Sequence, residues 1–150
     1  MSEIHTDIWQ FQAQLSRQLL RWSGLSIGAG AVIAATSGRF RRGFGTQAIG
    51  WGLVDAAIAW VGLHLARTKA AALEAHAPRM QQEAEDALQR VLWINTGLDV
   101  AYVAGGIALT ATKEREDQFR RGTGWGIVVQ GGFLLAFDLL HALHLGRRRS

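Results

Sequence analysis

The chain has 150 residues, no cysteine and a formal net charge of +4, and 49% of its residues are hydrophobic. Without cysteine it has no disulfides, no thiolate catalysis and no thiolate metal ligands. The basic residues flank apolar blocks, so attraction to anionic lipid head groups explains the charge more simply than nucleic-acid binding does. We therefore expect a lipid bilayer as the chain's surroundings and no nucleic-acid partner.

The first segment of the chain, residues 2–18, mixes polar and apolar side chains. Ile4, Ile8, Phe11 and Leu15 recur within it at helical spacing. Apolar residues at this period, with polar residues between them, are typical of a helix with one apolar face. The segment therefore predicts an N-terminal interfacial amphipathic helix lying on the membrane surface.

Four long apolar blocks follow along the chain. Crossing about 30 Å of hydrocarbon takes about 20 helical residues, and each block has about this length. A soluble helix as long would carry a polar stripe, whereas these blocks hold only isolated polar residues. The blocks therefore predict four transmembrane helices, at 19–37, 44–66, 91–110 and 124–145.

A polar segment, residues 67–90, separates the second block from the third. It is rich in Ala, Glu and Gln and contains the only proline of the chain, Pro78. Proline disfavours helical geometry at the residue before it and so favours a helix boundary. We expect a helical linker in which extensions of the second and third spans meet near Pro78, outside the membrane.

The motif FRRGxG occurs twice, at 40–45 and at 119–124. Residues 19–66 and 91–145 therefore form two candidate repeats of two spans each. Because each copy holds an even number of spans, both share one orientation in the membrane. The sequence thus predicts a single membrane domain, an all-α four-helix bundle made of two parallel two-helix repeats. The alternative is that FRRG marks two membrane ends by coincidence.

Two glutamine–aspartate pairs extend this correspondence. Gln47 and Asp55 stand eight residues apart in the second block, as do Gln130 and Asp138 in the fourth. These pairs match at an offset of 83 residues, whereas the two FRRG motifs match at 79. We therefore expect the second copy to carry four extra residues, about one helical turn.

Three aspartates lie within the predicted spans. An ionised carboxylate at the centre of a span costs about 2.5–3.5 kcal/mol on insertion scales, so such residues face the bundle interior. Counted along the helices, all three lie between the midplane and the side of the chain termini. On helical wheels, further polar residues share faces with them. The candidate intramembrane polar site comprises Asp55, Asp99, Asp138, Gln47, Gln130, Asn95 and Tyr102.

This site fits two functions. Interhelical hydrogen bonds worth about 0.6–2 kcal/mol each would pin the bundle, which predicts a structural or accessory membrane protein. The alternative is a small ion channel or proton-coupled transporter that uses the aspartates, with the amides and the tyrosine lining its path. No nucleophile–base pair emerges, so we expect no enzyme and no cofactor. His64, His141 and His144 are better explained as interfacial residues than as metal ligands.

Membrane placement and self-association follow from charge and from small residues. Gly24-x-x-x-Gly28 and Ala101-x-x-x-Gly105 let helices approach closely, which favours tight packing and permits a homodimer. Four spans put both termini on one side, which holds nine Lys and Arg residues against seven on the other. This weak bias favours cytoplasmic termini, and insertion in both orientations stays an alternative. We expect a multi-pass protein of the cell inner (cytoplasmic) membrane.

Three stretches carry a family resemblance: 45–52, 93–102 (WINTGLDVAY) and 122–138. They resemble a family of small, uncharacterised four-helix bacterial membrane proteins, a domain of unknown function. The resemblance covers about residues 19–145 and implies a bacterial source and a four-span bundle. It implies no activity, so it bears on the topology and adds nothing on mechanism.

Overall fold

The computed structural model describes residues 7–72, 76–111 and 117–147. These ranges contain helices and short connections and no strand, so the predicted all-α class is confirmed. The elements in chain order are α1 (Ile8–Ala35), α2 (Arg39–Ala70), α3 (Pro78–Ala111) and α4 (Gln118–Arg147).

Helix α1 differs from its prediction, because it runs without a break from Ile8 to Ala35. No glycine or proline interrupts residues 8–19, so nothing separates an interfacial helix from the apolar block. The apolar side chains of its first turns, including Trp9 and Phe11, are buried in a cluster with side chains of α3 and α4. The separate interfacial helix is therefore wrong from residue 8 onward, and residues 2–6 lie outside the described part.

The start of α1 is held by polar contacts with the start of α3. Asp7 caps α1 by accepting a hydrogen bond from the backbone N–H of Trp9 at 2.8 Å. The side chain of Gln81 in α3 accepts from the backbone N–H of Ile8 at 2.9 Å and donates to Asp7 at 3.2 Å. His76 lies 2.6 Å from the second carboxylate oxygen of Asp7. These contacts fix α1 inside the bundle rather than beside it.

Within the described ranges, three helices are long and apolar enough to cross a membrane: α2, α3 and α4. The shortest of the three has 30 residues, which is about 45 Å of helix and more than the hydrocarbon thickness. Helix α1 falls outside this group, because the strongly polar Gln18 and Arg21 lower the mean hydropathy of its apolar part. The chain is thus a candidate multi-pass membrane protein.

The helices pack as two antiparallel hairpins. Helix α1 lies against α2 and α3 lies against α4, and the hairpins meet where α2 contacts α4. Residues 36–38 suffice to connect α1 to α2, and Gly38 adopts a φ of 122°, which favours glycine. Helix α2 continues to Ala70 and α3 begins at Pro78, so much of the 67–90 linker is helical.

Glycines of the two FRRGxG motifs set the contact between α2 and α4. A Cβ on Gly43 would overlap the carbonyl oxygen of Phe119 in α4. A Cβ on Gly122 would in turn overlap the carbonyl oxygen of Phe40 in α2. The contact is reciprocal, and only glycine leaves room for the two backbones. The repeated motif is therefore the joint between the hairpins.

The correspondence between α2 and α4 keeps one offset along both helices. Gly52 lies against α1, and Gly131, which is 79 residues later, lies against α3. The FRRG glycines show the same offset, so the expected four extra residues in the second copy are wrong. Asp55 and Asp138 are consequently not equivalent, because Asp138 stands one turn further along its helix.

We predict that Gly43→Ala lowers the free energy of unfolding by about 1–3 kcal/mol, because the added methyl group forces the two backbones apart. Gly50→Ala, on an open face of the same helix, is the matched control. It should leave stability unchanged or raise it by up to about 1 kcal/mol through helix propensity. Thermal unfolding of both variants in detergent checks this prediction. Equal stability of the two variants would contradict the role of Gly43 in the contact between α2 and α4.

Candidate functional site

Gln130 of α4 connects three helices in the middle of the bundle. Its side-chain Nε2 donates to Oδ2 of Asp55 in α2. Its Oε1 accepts from the hydroxyl of Ser26 in α1 at 3.1 Å. Gln130 and Asp55 are each only 2% exposed. Both ends of the amide are therefore engaged, and one side chain ties α1 and α2 to α4.

Gln47 of α2 makes the corresponding connection to the other hairpin. Its Nε2 donates to the hydroxyl of Tyr102 in α3 at 2.8 Å. The ring of Tyr102 also meets the ring of Trp51 edge-on, with 4.8 Å between the centroids. The backbones of α2 and α3 make no close approach within the described residues. The link between these two helices therefore depends on side chains.

Asp99 of α3 and Asp138 of α4 form a carboxyl pair. Their carboxyl groups interact with each other, and the side chain of Asn95 interacts with Asp138. Both aspartates are 8% exposed. A hydrogen bond between the two carboxyls would require a proton on one of them, because an ionised carboxylate has no donor. Oδ2 of Asp99 is buried and makes no hydrogen bond to the described residues.

The structure brings all seven predicted residues to the bundle interior, in three small groups that span different helix pairs. Asp55, Asp99, Asp138 and Gln130 are buried, whereas the other three are half-buried. Within the described ranges, no basic side chain forms an ion pair with any of the three aspartates. Their partners are neutral polar groups or another carboxyl, so the cluster is built from hydrogen bonds rather than from paired charges.

Ser26 is the member of the cluster that sequence reasoning missed. It lies on the buried face of α1 with Leu19, Ser23 and Gly30. These positions recur at intervals of three and four residues, as one face of a helix requires. Two serines on such a face of an apolar block were the available signal, since polar residues inside a bundle need partners.

The three histidines near the terminal end do not converge. His64 stacks on Trp60 of its own helix, with 5.8 Å between the ring centroids. His141 and His144 of α4 instead contact the ring of Phe11. Among the described residues, no group of three or more acidic or histidine side chains is arranged to hold a metal ion.

The chain belongs to the family of unknown function DUF6992, whose model matches residues 18–139. This match confirms the resemblance noted in the sequence and includes all seven predicted site residues. No curated protein and no solved structure matches the chain. Family membership therefore adds no reaction, substrate or partner to the geometry of the site.

We predict that Gln130→Leu lowers the free energy of unfolding by about 1–3 kcal/mol, because it leaves Asp55 and Ser26 buried without their partner. Gln10→Leu, an exposed position on α1, is the matched control and should change stability by less than about 0.5 kcal/mol. Denaturant unfolding in micelles measures both. A double-mutant cycle with Asp55→Leu should show non-additivity, and strictly additive losses would disprove the coupling.

Proposed function

We propose that this chain is a structural or accessory membrane protein whose buried polar contacts hold two hairpins in one fixed arrangement. The observation that carries the proposal is that the candidate residues bond one another across helices. Gln130 uses both ends of its amide, and the amide of Gln47 is bonded to Tyr102. Polar groups satisfied by neighbouring helices stabilise and orient a bundle, since lipid supplies no alternative partner.

The proposal includes α1 as a fourth span. Helix α1 has 28 residues, about 42 Å, which exceeds the hydrocarbon thickness. Ser26 in its second half bonds Gln130, which lies near the middle of the candidate span α4. A helix that reaches this depth from the terminal side and packs along α2 has to cross with it.

Four spans give the two hairpins one orientation in the membrane. The reciprocal contacts of Gly43 and Gly122 support two parallel repeats joined through equivalent helices. Both termini then share one side, which the slight excess of basic residues favours as cytoplasmic. We therefore propose a multi-pass protein of the bacterial inner membrane.

Self-association is a further part of the proposal. A Cβ added at Gly24, Gly28 or Gly105 would meet no atom of the described residues within 4 Å, so these small-residue faces are not used for packing in that part of the chain. Close helix approach at such faces is a common way for membrane helices to associate. A homodimer through these faces is the partner we propose.

One observation favours the alternative of a small proton-coupled channel or transporter. Asp99 and Asp138 lie together inside the bundle, and Oδ2 of Asp99 is buried and bonds none of the described residues. Proton relays in membrane proteins use carboxyl groups in this way. In that case Asp55, Asp99 and Asp138 would carry the proton, and the neighbouring amides and Tyr102 would line its path.

The four-span topology is open to a direct test, because the natural chain has no cysteine to remove. Gln10→Cys, at the start of α1, and Ser37→Cys, between α1 and α2, are both exposed in the structure. We expect an impermeant maleimide to label Ser37→Cys in intact cells and Gln10→Cys only after the membrane is opened. Labelling of both positions from the same side would contradict the crossing of α1. The opposite order would reverse the orientation.

Proton flux separates the two functions. The structural proposal predicts that liposomes containing the native protein show no proton current above empty liposomes. Asp99→Asn and Asp138→Asn should then change only the unfolding temperature, because an amide can still donate to the remaining carboxyl. A native current that disappears in the folded variants would overturn the structural proposal in favour of the channel. Val129→Ala, on an exposed face of α4, is the control for the substitution itself.

A further inference from the structure

A groove lies between the start of α1 and the end of α4, away from the polar cluster. It is a cavity of about 480 Å³. Helix α1 lines it with residues that include Phe11, Gln14 and Gln18, and α4 lines it with residues that include His144 and Arg147. The groove thus lies between α1 and α4, whose backbones make no close approach within the described part.

The walls of the groove are held in place by specific contacts. Nδ1 of His141 lies 2.6 Å from the carbonyl oxygen of Phe137, and its Nε2 lies 3.0 Å from the side-chain amide of Gln18. The ring of His144 stacks on the ring of Phe11, with 5.8 Å between centroids and 7° between planes. The cavity is therefore formed by the fold before any ligand enters.

The ionisable side chains that line the groove are all basic. None of the residues that line it is acidic, whereas His144 and Arg147 stand exposed at its outer end. Arg21 is exposed and shares the helical face of Gln14 and Gln18, one turn deeper. These cationic and hydrogen-bonding side chains suit an anion with several acceptor oxygens, such as a phosphate.

The other wall of the groove is apolar. Leu140 and Leu143 line it and are 65% and 42% exposed. Helix α4 is about 15 Å longer than the hydrocarbon is thick, so its last turn projects into the head-group region. The leucines then face the first methylene groups of a lipid chain, while His144 and Arg147 stand at the depth of the phosphate.

We propose that this groove binds one anionic phospholipid, with its phosphate against His144 and Arg147 and the start of an acyl chain along Leu140 and Leu143. A free phosphate would use the basic end and leave the apolar wall unused, so the lipid satisfies both halves. The site rests on the proposed crossing of α1 and α4 together, since both helices must present their ends to one leaflet. It would bind a lipid to the seam between the first helix and the last.

The test is native mass spectrometry of the full chain released from micelles that contain phosphatidylglycerol or phosphatidylcholine. We expect one phosphatidylglycerol to stay bound and phosphatidylcholine to be lost. Arg147→Gln should weaken retention of phosphatidylglycerol about fivefold, the effect of one basic residue at a membrane surface. Arg42→Gln removes the same charge at the opposite end of the bundle and should leave retention unchanged. Inorganic phosphate at millimolar concentration should not displace the lipid.

A second variant separates a defined groove from diffuse attraction to the surface. Gln14→Trp places a bulky indole ring in the groove and keeps every charge, so it should weaken retention while the unfolding temperature stays near that of the native chain. Equal retention of the two lipids, or full retention in Gln14→Trp, would overturn the proposal. Displacement by inorganic phosphate would instead assign the basic end to a free anion. These outcomes are independent of the cysteine-labelling result, which decides by itself whether α1 crosses the membrane.

Discussion

The contact between α2 and α4 is the constraint on which the rest of the bundle depends. At Gly43 and Gly122 each backbone occupies the space that a side chain would take on the other helix. This approach brings the two central helices close enough for the amide of Gln130 to reach Asp55. A wider separation would leave these buried polar groups without partners, at a cost of about 1–3 kcal/mol each.

Different types of contact hold the helices together at different depths of the bundle. Backbone packing at glycine joins the hairpins at the end of the short loops. Polar side chains join them in the middle, where a surrounding bilayer would provide no driving force between apolar surfaces. At the terminal end, Ile8, Phe11, Leu92 and Leu145 form an apolar cluster that holds α1 against α3 and α4. Each contact type thus acts where its surroundings make it effective.

The polar cluster has two parts with different chemical capacity. Around Gln130 both ends of the amide are hydrogen-bonded to other helices, so this part stabilises one arrangement. The Asp99–Asp138 pair brings two acidic groups together, and one of its oxygens bonds none of the described residues. The two parts lie within a few turns of the same helices, and the carboxyl pair is the part that the proposed alternative of proton transport would use.

The sequence alone determined the helical class, the long apolar helices, the helix boundary near Pro78 and the burial of the three aspartates. Each follows from local composition, because hydropathy and the cost of charge in hydrocarbon act residue by residue. Tertiary structure decided what depends on distance between helices. It turned residues 8–18 from a surface helix into the start of α1, fixed the offset between α2 and α4 at 79 residues, and paired Ser26 with Gln130. Such pairings depend on which backbones approach each other, and a single sequence records that approach only indirectly, in its glycines.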